Sequence, residues 1–171
     1  MLAPHIGVLI LVLSGPGNAS NTPQVRELRH GDDRLKGITA VDVVIDPVAA
    51  DGTRCGLARE AIQQVTVTAL QSAGLKATVR ENASSAFFTV YVTATTVRSG
   101  SQCATSLVTD LMAHVEGAQD GGLALVGEMS LIRHQGVVSS TRAAHTAQVH
   151  SVLSDHLKAI GSRVASAKNG G

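Results

Sequence analysis

The side chains best placed for chemistry are acidic and hydroxyl groups that recur at every second residue in alternating segments of the chain. If those segments are strands, one face of the sheet carries Asp42, Tyr91, Thr93, Asp110, His114 and Glu128. Paired carboxylates can serve acid–base catalysis, but no nucleophile and no phosphate-binding or G-x-S-x-G motif accompanies them. We therefore assign no catalytic residue and treat the six as a candidate binding face. The alternative is an ordinary solvent-facing surface.

Three histidines near the C-terminus raise the question of a metal site. His145, His150 and His156 are separated by five and six residues. Zinc ligands on one helix face are typically three or four residues apart, so this spacing distributes the rings around the helix. We predict a solvated polar helix face, with neither a metal site nor a cofactor.

The only two cysteines are Cys55 and Cys103. An isolated pair in an exported chain most simply forms one intrachain disulfide. A redox or metal role would require C-x-x-C spacing or further ligands, which the chain does not supply. We predict the Cys55–Cys103 bond.

The N-terminus has the pattern of a secretory signal. An apolar run covers Ile6 to Leu13, Pro16 follows it, and the small residues at 17–19 fit a cleavage site after Ala19. No Lys or Arg precedes Arg26, so a start codon upstream remains open. The alternative is a buried core segment, since short apolar runs are ambiguous. A periplasmic or secreted protein is expected.

Composition narrows the classes of partner. The formal net charge is +1 and aromatic residues make up 2% of the 171 residues. Nucleic-acid binding and anionic membranes call for more positive charge, and stacking on bases or sugars requires aromatic platforms. We expect a protein partner, with no nucleic acid and no membrane span once the signal is removed. The oligomeric state is left open.

Periodicity predicts an α+β fold in the order β-α-β-β-β-β-α. Helices are expected over 56–73, ending at Gly74, and over 140–164. Strands are expected over 38–46, 75–80, 86–97, 102–115 and 123–133, with Gly136 ending the last one. Short connections favour a mostly antiparallel sheet with both helices on one face, a two-layer sandwich. We divide the chain into a signal peptide (1–19), a flexible arm (20–36), one domain (37–165) and a disordered tail (166–171).

Four segments carry a resemblance to small exported bacterial domains. They read ITAVDVVID from Ile38, CGLAREAI from Cys55, ALQSAGL from Ala69 and FFTVYVTATT from Phe87. This order resembles the N-terminal domain of TolB and outer-membrane assembly lipoproteins. The resemblance implies an accessory or binding role in the cell envelope through protein–protein contacts, and it supplies no catalytic residues. An envelope enzyme of hydrolase type on the same face, or a structural subunit of an envelope complex, remains an alternative.

Overall fold

A computed structural model describes residues 34–81, 87–118 and 124–169. The predicted signal peptide at 1–19, the arm as far as residue 33 and the last two residues lie outside these ranges. Among the described helices, none is both long and apolar enough to cross a membrane.

Five strands and three helices make up the described chain. In chain order they are β1 (Ala40–Ile45), α1 (Ala50–Arg54), α2 (Arg59–Ser72), β2 (Lys76–Arg80), β3 (Phe88–Ser99), β4 (Gln102–Ala118), β5 (Ala124–Thr141) and α3 (Arg142–Asn169). The short α1 was not predicted, since five residues are too few for helical periodicity to register. The end of α2 was predicted correctly: Gly74 has a φ of 79°, and the Leu75 N–H donates to the Leu70 carbonyl.

The strands form one mixed sheet in the order β2-β1-β3-β4-β5. The α+β class is confirmed. β3, β4 and β5 are antiparallel neighbours, as expected, but β2 and β3 both pair in parallel with β1. The short segment after β2 therefore does not close a hairpin. Helix α2 crosses over from β1 to β2, which makes these two strands parallel.

The core lies between one face of the sheet and the helices α2 and α3. Each of the two helices contributes one apolar stripe, and the central strands contribute alternate residues. Its largest fully buried aliphatic side chains are Leu35, Ile38, Ile45, Leu57, Ile62, Leu70, Leu107, Leu111, Leu153, Leu157 and Ile160. Aliphatic residues thus fill the interior, as the scarcity of aromatic residues requires.

Apolar side chains pack against the core beyond two of the expected boundaries. Leu35 is only 1% exposed, so the end of the predicted flexible arm belongs to the core. At the other end, α3 continues to Asn169 rather than giving way to a tail after residue 165. Ala167 packs against the core there, which gives the last turn an apolar contact.

Strand β5 departs most from the sequence expectation. It does not end at Gly136 but continues to Thr141. A β-bulge is also present: Leu111 is opposite Ile132 and Met112 is opposite Ser130, so one extra residue is accommodated at Leu131. The bulge reverses the alternation beyond it and places Arg133 on the side of the sheet opposite the helices.

Candidate functional site

The six predicted binding residues do lie on one side of the sheet. We call this side, opposite α2 and α3, the open face. Cross-strand pairs share a face, and the pairs Asp42–Thr89, Tyr91–Asp110 and His114–Glu128 connect the strands in turn. Thr93 follows Tyr91 by two residues and therefore shares its side. The alternation pattern was sufficient to find this face because each of the six residues lies on a stretch of strand where the alternation is unbroken.

Tyr91 and Glu128 are joined directly across the open face. The Tyr91 hydroxyl donates a hydrogen bond to Glu128 Oε1 at 2.9 Å, although β4 separates their strands. Burial raises the pKa of Tyr91 to about 12, and the hydrogen bond and negative charge of Glu128 add to the effect. The phenol therefore stays protonated at neutral pH and acts as a fixed donor.

The two aspartates on this face are buried beneath charged neighbours. Asp110 is 8% exposed, accepts a hydrogen bond from Ser130 Oγ at 2.5 Å and lies 3.8 Å from Arg133. Asp42 is 6% exposed and its Oδ2 lies 3.4 Å from Arg80 Nε. Both arginines are more than half exposed. Their side chains cover the aspartates while their charged groups remain in water.

Exposed apolar side chains lie at the other end of the same face. Val97 is 64% exposed and Val137 is 75% exposed. Their partners on β4 are Ala104 and Ser106, two residues apart, so the two valines flank β4 diagonally. We call Val97 and Val137 the valine pair. The sequence also places Val44 on this face, but Val44 is only 7% exposed and does not contribute to the exposed apolar surface.

A shallow cleft of ≈ 430 Å³ lies at the end of the sheet where β1, β2 and β3 begin. Its lining includes both phenylalanines of the chain, Phe87 and Phe88, together with Asp42, Lys76 and Thr78. Phe87 is 76% exposed. The cleft thus combines an exposed aromatic ring with a carboxylate that is already paired with Arg80.

The expectation of a solvated histidine face is wrong for His145, which is 0% exposed. Its Nε2 lies 2.7 Å from Thr105 Oγ1 and its Nδ1 lies 2.9 Å from Ser140 Oγ. Thr105 Oγ1 also lies 2.7 Å from Thr96 Oγ1. We call Thr96, Thr105, Ser140 and His145 the interior network. Burial lowers the pKa of His145, so its ring is neutral at pH 7 and shares hydrogen bonds with hydroxyls.

The predicted disulfide is confirmed and lies beside the interior network. Cys55 and Cys103 are bonded, with their Cα atoms 6.1 Å apart. Cys103 is opposite Ser140 in the sheet, and both cysteines are buried. The bond therefore links the end of α1 to β4, close to the strand residues that contact His145.

The other two histidines on α3 are half-buried rather than solvated. Burial lowers the pKa of His150 and His156, and neighbouring His134 lowers that of His156 further. Within the described ranges, no group of three or more His, Cys, Asp and Glu side chains is arranged to hold a metal ion. Sequence reasoning compared the α3 histidines only with each other and so missed His134, which lies on β5.

No protein family model and no curated protein sequence matches this chain. Solved structures are similar to it at low identity. A PelC dodecamer with one substitution, from Paraburkholderia phytofirmans, is 12% identical with a TM-score of 0.45, over 72% of this chain and 89% of that chain. A second PelC dodecamer from the same organism is 14% identical with a TM-score of 0.40, over 74% and 88% respectively.

A minor lipoprotein from Acinetobacter baumannii is 10% identical with a TM-score of 0.25, over 77% of this chain and 92% of that chain. These three structures are each less than 25% identical to this chain, with TM-scores below 0.5. Nothing about the assembly or activity of these proteins is therefore transferred to this chain.

Proposed function

We propose that this chain is an exported, non-enzymatic accessory protein that binds another envelope protein through its open face. The observation that carries the proposal is the valine pair, two apolar side chains 64% and 75% exposed on the side of the sheet that no described helix covers. Apolar groups on such a face gain stability when a partner removes them from water.

Export is supported by the chemistry of the cysteines. A buried disulfide persists in oxidising compartments such as the periplasm, whereas cytoplasmic thiols are kept reduced. The Cys55–Cys103 bond fits the signal sequence expected at 1–19. We therefore assign the mature chain to the periplasm or the extracellular medium.

A binding role suits the open face better than acid–base catalysis. A general base needs a lone pair within reach of a substrate proton. Asp110 is only 8% exposed and lies beneath Arg133, so a substrate would have to displace that side chain to reach it, and Glu128 is held by Tyr91. These fixed partners instead make the polar half of the face a rigid, charged surface beside the apolar valine pair, a mixture that is typical of protein interfaces.

The proposal is tested by adding charge to the valine pair. The double variant Val97→Lys and Val137→Lys should recover at least about tenfold less partner from envelope extracts of the native host, a loss equal to about 1.4 kcal/mol. Recovery is measured by chemical crosslinking and isotope-labelled mass spectrometry, with tagged wild type and variant in parallel.

A matched control adds the same two charges elsewhere. Gln148 and Ser151 are exposed on α3, away from the open face, so Gln148→Lys with Ser151→Lys should leave partner recovery unchanged. Equal recovery with the valine variant and wild type would refute the proposed surface. A far-ultraviolet circular dichroism spectrum identical to wild type shows that each variant is folded.

A further inference from the structure

His134 on β5 and His156 on α3 bring two imidazole rings together from different elements. Their ring centroids are 5.5 Å apart and their planes are inclined by 29°. A tetrahedral metal ion with metal–nitrogen bonds of about 2.0–2.1 Å holds the centroids of two imidazole ligands roughly 5.2 Å apart. The observed separation therefore lies close to the one such an ion requires, although the rings are stacked here and would have to turn about their side-chain bonds to direct one nitrogen each at the ion.

The hydroxyl of Thr109 lies beside one ring nitrogen of His156 and can accept a proton from it. Thr109 is fully buried, and its Oγ1 lies 3.4 Å from His156 Nδ1. When Nδ1 donates its proton to this hydroxyl, Nε2 keeps its lone pair. A hydrogen bond from one ring nitrogen that leaves the other free is the usual arrangement of histidine ligands.

The missing side chain of Gly136 leaves space next to Nε2 of His156. Gly136 lies two residues after His134 on the same face of β5, and a Cβ there would come 3.6 Å from His156 Nε2. Glycine therefore leaves room of about the size of one methyl group between Val152 and this nitrogen. Both histidines are half-buried, so an ion can reach them from solvent.

We propose that His134 and His156 bind one divalent transition-metal ion, of the class Zn²⁺, Cu²⁺ or Ni²⁺ that prefers imidazole ligands. Two protein ligands leave the remaining coordination positions to water. The ion would join the edge strand β5 to helix α3. This site lies on the helix side of the sheet and is independent of the proposed binding face.

The test uses the untagged full chain and Cu²⁺ or Zn²⁺ alone as the probe. Isothermal titration should show one equivalent of metal bound, and the electron paramagnetic resonance spectrum of the Cu²⁺ complex should show two imidazole nitrogens. His134→Gln and His156→Gln should each weaken binding by at least about tenfold. Thr109→Val, which preserves volume but removes the orienting hydroxyl, should weaken it about tenfold.

His114→Gln is the matched control, because His114 lies on the open face of the same sheet and its loss should not change the affinity. Binding that survives both His134→Gln and His156→Gln would overturn the proposal and place the metal elsewhere. A spectrum with a single nitrogen ligand would overturn it as well. If either histidine variant fails to fold, the metal affinity of Thr109→Val still tests the proposal, because this variant leaves both histidines in place.

Discussion

The two faces of strand β4 carry polar networks of opposite character. On the helix side, Thr105 belongs to the interior network of hydroxyls and one neutral histidine. On the open face, Asp110 is held by Ser130 and by the charge of Arg133. Burying a charge costs far more than burying a hydrogen-bonded hydroxyl, so the charged groups lie where water reaches their partners. We therefore expect the interior network to stabilise the fold, and we propose the open face, rather than this network, for binding.

The disulfide beside the interior network should have the largest effect on stability. Replacing both Cys55 and Cys103 by serine removes a bond between residues 48 apart in sequence. We expect the free energy of unfolding to fall by about 2–5 kcal/mol, because the unfolded chain regains conformational freedom. Urea denaturation of the double variant measures it, with oxidised and reduced wild type as references. An unchanged midpoint would show that the bond does not stabilise this region.

The same isosteric substitution on each face compares the networks directly. Thr105→Val leaves the nitrogen of His145 and the hydroxyl of Thr96 without this partner in the core, so we expect a loss of about 1–3 kcal/mol. Thr93→Val removes the 2.6 Å bond to Asp46 on the open face, where water can replace it, and should cost less than about 1 kcal/mol. Denaturant unfolding of both variants tests the difference. Equal losses would contradict the contrast between the faces.

Acid should destabilise the interior network through His145. Burial lowers its folded-state pKa, while in the unfolded chain the pKa is about 6.5. The contribution of neutral His145 to the free energy of unfolding is complete above pH 6.5. As the pH falls below 6.5, this contribution decreases by up to about 1.4 kcal/mol per pH unit, because the unfolded chain binds a proton that the folded chain excludes. Unfolding at several pH values between 7.5 and 5 should show a smaller slope for His145→Gln than for wild type. Identical slopes would contradict this account.

Base should act on the open face through Tyr91, the only tyrosine of the chain. Its pKa is raised to about 12, so stability from this group is present below pH 10 and is lost as the pH rises towards 12. Ultraviolet absorbance of the phenolate reports this residue alone. Glu128→Gln should lower the midpoint only in part, because burial is the largest cause of the shift. A wild-type midpoint near 10 would contradict both the burial of Tyr91 and its hydrogen bond to Glu128.

Local patterns in the sequence predicted the features that depend on regular alternation. The six residues of the open face and the end of α2 at Gly74 follow from strand and helix periodicity. The bulge at Leu131 could not be predicted, because an extra residue reverses the alternation without a compositional signal. Gly136 was taken for a break, yet the side chains of Val152 and His156 from α3 pack beside it and the strand continues.

Long-range hydrogen bonds explain the remaining misses. His145 is polar by type, and its burial is favourable because the hydroxyl of Thr105, 40 residues earlier in the chain, and that of Ser140 at the end of β5 pair both ring nitrogens. The pairing of His156 with His134 likewise joins a helix to a strand. No spacing rule within one element could have indicated either contact.

Site-specific photo-crosslinking in the native host tests the binding surface most directly. A photoreactive amino acid replaces Val137 on the open face in one strain and Gln148 on α3 in another. The account predicts a discrete adduct with an envelope protein from position 137 and none from position 148. An adduct only from position 148, or no adduct from 137 when the labelled protein is present and folded, would contradict it.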